Sequence, residues 1–164
     1  MNAVTYARSQ IESVFNLLNM CVDGMDEAQY NWQPPGTSNA AAKSHVHALT
    51  AIDFFVMRGA KGGEMMWPSF AATHGLPLKS PEIWAYEPAI PFAPLKEFGQ
   101  RIEKAALEYV STLADEDLDV VIDTQFFGKQ SLAFLLQLIT MHTAGHAGDI
   151  AAVKGIQGIK GLPF

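Results

Sequence analysis

At 164 residues, with 49% hydrophobic and 17% charged positions, the chain suits one domain spanning residues 1–164 and long enough to bury a core. Its charge falls below the roughly 25% usual for soluble domains, so apolar surface is left over and a homodimer is expected to cover part of it. A net charge of −6 with only 11 Lys and Arg excludes the basic stripe that nucleic-acid backbone binding needs, and no nucleic-acid partner is expected.

The sequence starts without a basic stretch, an apolar run and a small-residue cleavage site, so nothing marks it for export. The single cysteine, Cys21, has no internal partner and fits a reducing cytoplasm. Gln130 to Gly148 holds no Asp, Glu, Lys or Arg over nineteen residues, close to the length of a membrane span. It contains Gln137, Thr140, His142 and His146, however, and reads as a helix central to a bundle; no membrane partner is expected.

Four segments carry a helical period and none alternates at length as strands do. The first covers about 3–22, with Val4, Ala7, Ile11, Val14, Phe15, Leu18 and Val22 on one face and Gly24 as its stop. Residues 24–37 hold Trp32, Pro34, Pro35 and Gly36 and read as a loop. Ser38 or Asn39 is placed to cap a second helix over about 40–60, which Gly59, Gly62 and Gly63 end. Five prolines between Lys61 and Ala93 make that stretch a long irregular loop, functional as a cover or hiding a short helix.

Pro94 suits the first turn of a third helix, about 94–114, with Leu95, Phe98, Ile102, Ala105, Tyr109 and Leu113 facing inward. An acidic turn and a briefly extended Val120–Phe127 stretch lead to a fourth helix over about 130–154. Four apolar-striped helices with no sheet to pack against predict an all-α, four-helix bundle.

Chemistry enters on the fourth helix. His142 and His146 are one turn apart and differ in direction by about 40°. Leu135, Leu138, Ile139, His142, His146, Asp149 and Val153 share a side, so the histidines are expected to continue the core stripe. Unpaired buried imidazoles are costly, and a metal ion satisfies them, as buried hydrogen bonds would. From the second helix, His47 shares the inward side with Ala40, Ala51 and Phe54. His45 points about 160° away and reads as a surface or interface residue, and Asp53, about 120° off the same face, is not expected to bind metal. His74 in the proline-rich loop is a further ligand, a proton carrier or a solvated residue.

Three stretches resemble the DinB-like (DinB/YfiT-like) family of metalloenzymes. Residues 32–55, WQPPGTSNAAAKSHVHALTAIDFF, look like the family's loop into its ligand-bearing helix, with Asn39 ahead of the ligand histidine and Asp53 after it. Residues 113–119, LADEDLD, look like its acidic turn, and 142–155, HTAGHAGDIAAVKG, are similar to its terminal H-x-x-x-H-x-G-Q/D-I signature. The resemblance implies a bundle, often dimeric, in which His47, His142 and His146 hold one divalent metal. Asp149 stands where the family usually has Gln.

Three neutral imidazoles leave a divalent ion (Zn, Ni or Fe) its full charge and an open position, as at a catalytic centre. Asp149, one turn past His146, is a candidate to orient that ring or act as a base, or to pair with Arg58 or Lys43. Gly145 and Gly148 keep the fourth helix thin. Trp32, Trp67, Trp84 and Phe127 read as core and loop packing, Cys21 as a small buried residue, and the glycine-rich tail from Gly155 to Phe164 as folding back over the bundle or a partner.

The expected function is a metal-dependent hydrolase or thiol S-transferase acting on a small-molecule substrate. The thiol, a low-molecular-weight cofactor, comes from characterised branches of the family that the chain resembles. The alternatives are a metal- or ligand-binding, stress-related dimer without turnover, and a helical dimer whose histidines are hydrogen-bonded core residues.

Overall fold

Helix α1, Ala3–Val22, begins at Asn2, whose side chain accepts from the Thr5 N–H. In the computed structural model, which describes residues 1–162, a second group closes the same end. The Asp115 carboxylate accepts from the Ala3 and Val4 N–H groups at 3.3 and 2.9 Å, where the helix dipole favours negative charge. The other end is tied by the buried Lys154 ammonium, which donates to the Cys21 carbonyl at 3.2 Å and also to that of Asp23. The acidic turn and the last helix thus each hold one end of the first.

The 24–37 stretch is not all loop. Asp26 and Gln29 satisfy each other's backbone N–H groups at 2.8 and 2.9 Å, a capping box that starts α2, Glu27–Asn31. Helix α3, Ala41–Ile52, follows Ala40 with no side-chain cap, so the expected Ser38 or Asn39 cap is not formed. It continues as a π-helical segment, Asp53–Ala60. The expected irregular loop contains α4, Trp67–His74, and a 3₁₀ segment, Ser80–Ala85.

Helix α5, Phe92–Val110, buries Leu95, Phe98, Ile102, Ala106 and Val110. Its inward face therefore passes through Ala106 and Val110 where the sequence reading has Ala105 and Tyr109. The 3₁₀ turn Asp115–Asp119 leads to a hairpin, β1 (Val121–Asp123) antiparallel to β2 (Lys129–Ser131), with Ile122 opposite Gln130. The expected extended stretch is its first strand. Ser131 then caps α6, Leu132–Ile156.

α1, α3 with its π-helical extension, α5 and α6 form the bundle, α6 packing along both α1 and α3. The all-α four-helix architecture is the one the periodicity predicts. The core runs from Phe15 and Leu18 through Leu49 and Ile52 to Phe98, Ile102, Leu136 and Ile150. Cys21 and Trp67 are both fully buried in it. After α6 the chain turns back along it. At Gly161 a Cβ would collide with the Ala151 carbonyl oxygen, so only glycine passes there. Pro163 and Phe164, the end of the tail read above, lie outside the described residues. Among the described residues no helix is long and apolar enough to cross a membrane.

Candidate metal centre

α3 and α6 run side by side and bring the three histidines together. His142 Nε2 lies 3.2 Å from His47 Nε2 and 3.3 Å from His146 Nε2, and one ligand atom from each ring lies within 4.8 Å of the others. Two nitrogens bound tetrahedrally to one ion at 2.0–2.1 Å are separated by about 3.3 Å. The two Nε2 spacings match that figure, so the three residues fit a metal ion.

The histidines flank the core stripe of α6 and do not continue it. The fully buried line runs through Leu136, Ile139, Thr143, Ala147 and Ile150. His142 and His146 are half-buried one position to the side, and Asp149 is exposed. That offset is what opens the cluster to ligands.

Proton counting sharpens the picture. His146 Nδ1 lies 3.1 Å from Asp149 Oδ2; a carboxylate only accepts, so that nitrogen carries a hydrogen, and in the neutral ring Nε2 carries the lone pair. His142 Nδ1 is buried with no hydrogen-bond partner among the described residues. Burial, and then the neighbouring imidazoles, push the pKa values of His47 and His142 down to about 4. Both rings are therefore neutral at physiological pH, the state in which imidazole binds metal.

Two groups that the sequence reading did not place at the site complete the surroundings. The Ser80 hydroxyl lies 3.4 Å from His47 Nδ1. The Trp84 ring sits over His47 with centroids 4.9 Å apart and 6.4 Å from the His146 ring, so Trp84 is a wall of the cluster as well as loop packing. Lys43 holds its carbonyl at 3.0 Å. A serine and a tryptophan within a proline-rich stretch give no periodic signal to find them by.

The remaining candidates lie elsewhere. His45 is 1% exposed, which overturns its reading as a surface or interface residue. Its Nδ1 is 2.8 Å from the Tyr30 hydroxyl, and its Nε2 faces Gly99 of α5. The angular argument failed because α3 is buried almost all round. Asp53, fully buried, accepts from the Met66 and Trp67 N–H groups at 3.1 and 2.7 Å, anchoring the start of α4 instead of binding metal. His74 ends α4 packed on Phe70, ring centroids 4.5 Å apart, and is not in the cluster.

A four-helix bundle with three imidazoles converging between two of its helices defines the structural class. The sequence matches the profile of the DinB superfamily over residues 10–150, and the chain belongs to that superfamily. Its fold is similar to a conserved protein from Enterococcus faecalis, with a TM-score of 0.78 at 15% identity over 96% of this chain and 99% of the other. It is also similar to a DinB-like protein from Bacillus subtilis, with a TM-score of 0.62 at 20% identity over 98% of this chain and 95% of the other. No curated protein matches the sequence.

Proposed function

We propose that the chain is a metal-dependent enzyme in which His47, His142 and His146 hold one divalent transition metal (Zn, Ni or Fe) through Nε2. It acts on a small-molecule substrate by activating water for hydrolysis or a low-molecular-weight thiol for transfer. The observation that carries the reading is the convergence of three Nε2 atoms at 3.2 and 3.3 Å. A divalent ion with three neutral nitrogen ligands and an open position lowers the pKa of a water or thiol bound there.

The chain's own groups prepare that chemistry. Asp149 accepts the His146 Nδ1–H and so aims the lone pair of Nε2 into the cluster. Its carboxylate is 62% exposed, free to take up a proton from an arriving nucleophile as a base. Trp84 covers one side of the cluster and limits the approach of water. A homodimer belongs to the same proposal. The groove between α1 and α6, about 460 Å³ and lined by Tyr6, Ala7, Leu136, Met141 and other uncharged residues, gives a second copy an apolar face.

The test is a reaction screen on metal-loaded protein with an alkyl halide or epoxide, with and without added thiol, and with an ester. Turnover that requires both metal and thiol supports transfer, and thiol-independent ester cleavage supports hydrolysis. Bound metal with no turnover of any of these favours a binding protein.

A further inference from the structure

Thr50, on the turn of α3 after His47, and Ser80, the first residue of the 3₁₀ segment, form a short chain of hydroxyls that ends on a histidine of the cluster. Thr50 Oγ1 lies 2.9 Å from the Val46 carbonyl oxygen and 3.1 Å from that of His47. Carbonyl oxygens only accept, so the one Thr50 proton is committed to this pair and shared between them. Thr50 Oγ1 is also 2.5 Å from Ser80 Oγ. With the Thr50 proton already used, the hydrogen in that contact belongs to Ser80. Ser80 then has no proton left for His47 Nδ1, 3.4 Å away, and can only accept.

We propose that Ser80 is a positioning residue for His47, and that Thr50 sets the direction in which it acts. The hydroxyl chain places hydrogen on His47 Nδ1 and leaves the lone pair on Nε2, the atom 3.2 Å from His142 Nε2. The same 3₁₀ segment supplies Trp84, whose ring centroid is 4.9 Å from that of His47. One short element therefore meets the imidazole at its Nδ1 edge and packs a tilted indole against it. His47 and His146 are prepared alike, one by a hydroxyl and the other by the Asp149 carboxylate. Partners of this kind raise ligand basicity and fix ring orientation.

The purpose assigned to this arrangement rests on the metal reading above, but the protonation pattern does not. It makes an unusual prediction for Thr50→Val. With no acceptor at position 50, Ser80 turns its proton towards His47 Nδ1, and the His47 hydrogen moves to Nε2. Replacing with a methyl a hydroxyl that touches no ligand atom would then weaken metal binding.

The experiment is a long-range ¹H–¹⁵N correlation spectrum of metal-free, ¹⁵N-histidine-labelled protein near neutral pH, with His47 assigned by its loss in His47→Gln. The expected spectrum shows His47 protonated at Nδ1 in the wild type and in Ser80→Thr, mixed in Ser80→Ala, and protonated at Nε2 in Thr50→Val. Zinc affinity, measured by competition with a chromophoric chelator, is expected to fall at least tenfold in Ser80→Ala and to recover in Ser80→Thr, the scale of other partners that orient ligands. A wild-type His47 protonated at Nε2, or a Ser80→Ala variant with unchanged tautomer and unchanged affinity, overturns the proposal. The expected tautomers in a protein that binds no metal would sink the metal reading and leave the hydroxyl chain standing. Metal binding with a tautomer indifferent to Ser80 would do the reverse.

Discussion

Acid should weaken the metal-free protein through His45, a residue outside the cluster. Full burial, and then the Lys96 charge, push its pKa from 6.5 down to about 3. In the unfolded chain it takes up a proton as the pH falls through about 6.5, and in the folded protein it does not until about 3. Stability from this group is thus complete above 6.5 and is lost as the pH falls between those two values. Each pH unit well inside that window costs about 1.4 kcal/mol, and because the unfolded ring is already half protonated at 6.5, moving from 6.5 to 4.5 costs about 2 kcal/mol, a sizeable part of the 5–15 kcal/mol typical of a domain. His45→Gln removes the titration and keeps an acceptor for the Tyr30 hydroxyl. Urea unfolding of both proteins with chelator present, at the two pH values, isolates the term because the other titrating groups are common to both. The variant should be less stable near neutrality yet lose about 2 kcal/mol less than the wild type on acidification. Equal losses in the two proteins would mean that His45 does not set the acid sensitivity.

Three other changes follow from the structure. Asp53→Ala leaves the Met66 and Trp67 N–H groups without their acceptor and should cost about 3 kcal/mol in urea unfolding, with the histidine cluster still able to bind metal. Lys154→Met strips the ammonium from the Cys21 and Asp23 carbonyls at the end of α1, and about 2 kcal/mol should be lost by the same assay. Trp84 lies against His47, so nickel or copper should quench tryptophan fluorescence, and Trp84→Phe should abolish most of that quenching while Trp32 and Trp67 continue to emit.

The bundle was legible because α1, α5 and α6 carry apolar residues at helical spacing, and the signal survives a shift of one position such as that from Ala105 to Ala106. The histidine cluster was legible for a related reason: four-residue spacing fixes His142 and His146 on one side whatever packs there. His45 was misread because a direction on a helix identifies the solvent only when one side is exposed, and α3 has neighbours almost all round. The 61–93 stretch was opaque because its order comes from distant partners. Its helix α4 starts on Asp53, more than a turn back in the preceding helix, and Ser80 and Trp84 gain their roles only by folding against α3. The roughly 1 kcal/mol that a single capping side chain contributes was also too small a signal to place the start of α3, which begins without one.

The function proposed for the site depends on three imidazoles of this chain holding one metal ion. Elemental analysis of untagged protein, beside a folded triple variant His47→Ala, His142→Ala, His146→Ala, tests it most directly. About one transition-metal ion per chain, absent from the variant, is the predicted result. No metal in the wild type, even after reconstitution with zinc, nickel and iron, would contradict the claim and leave three clustered histidines serving the fold alone.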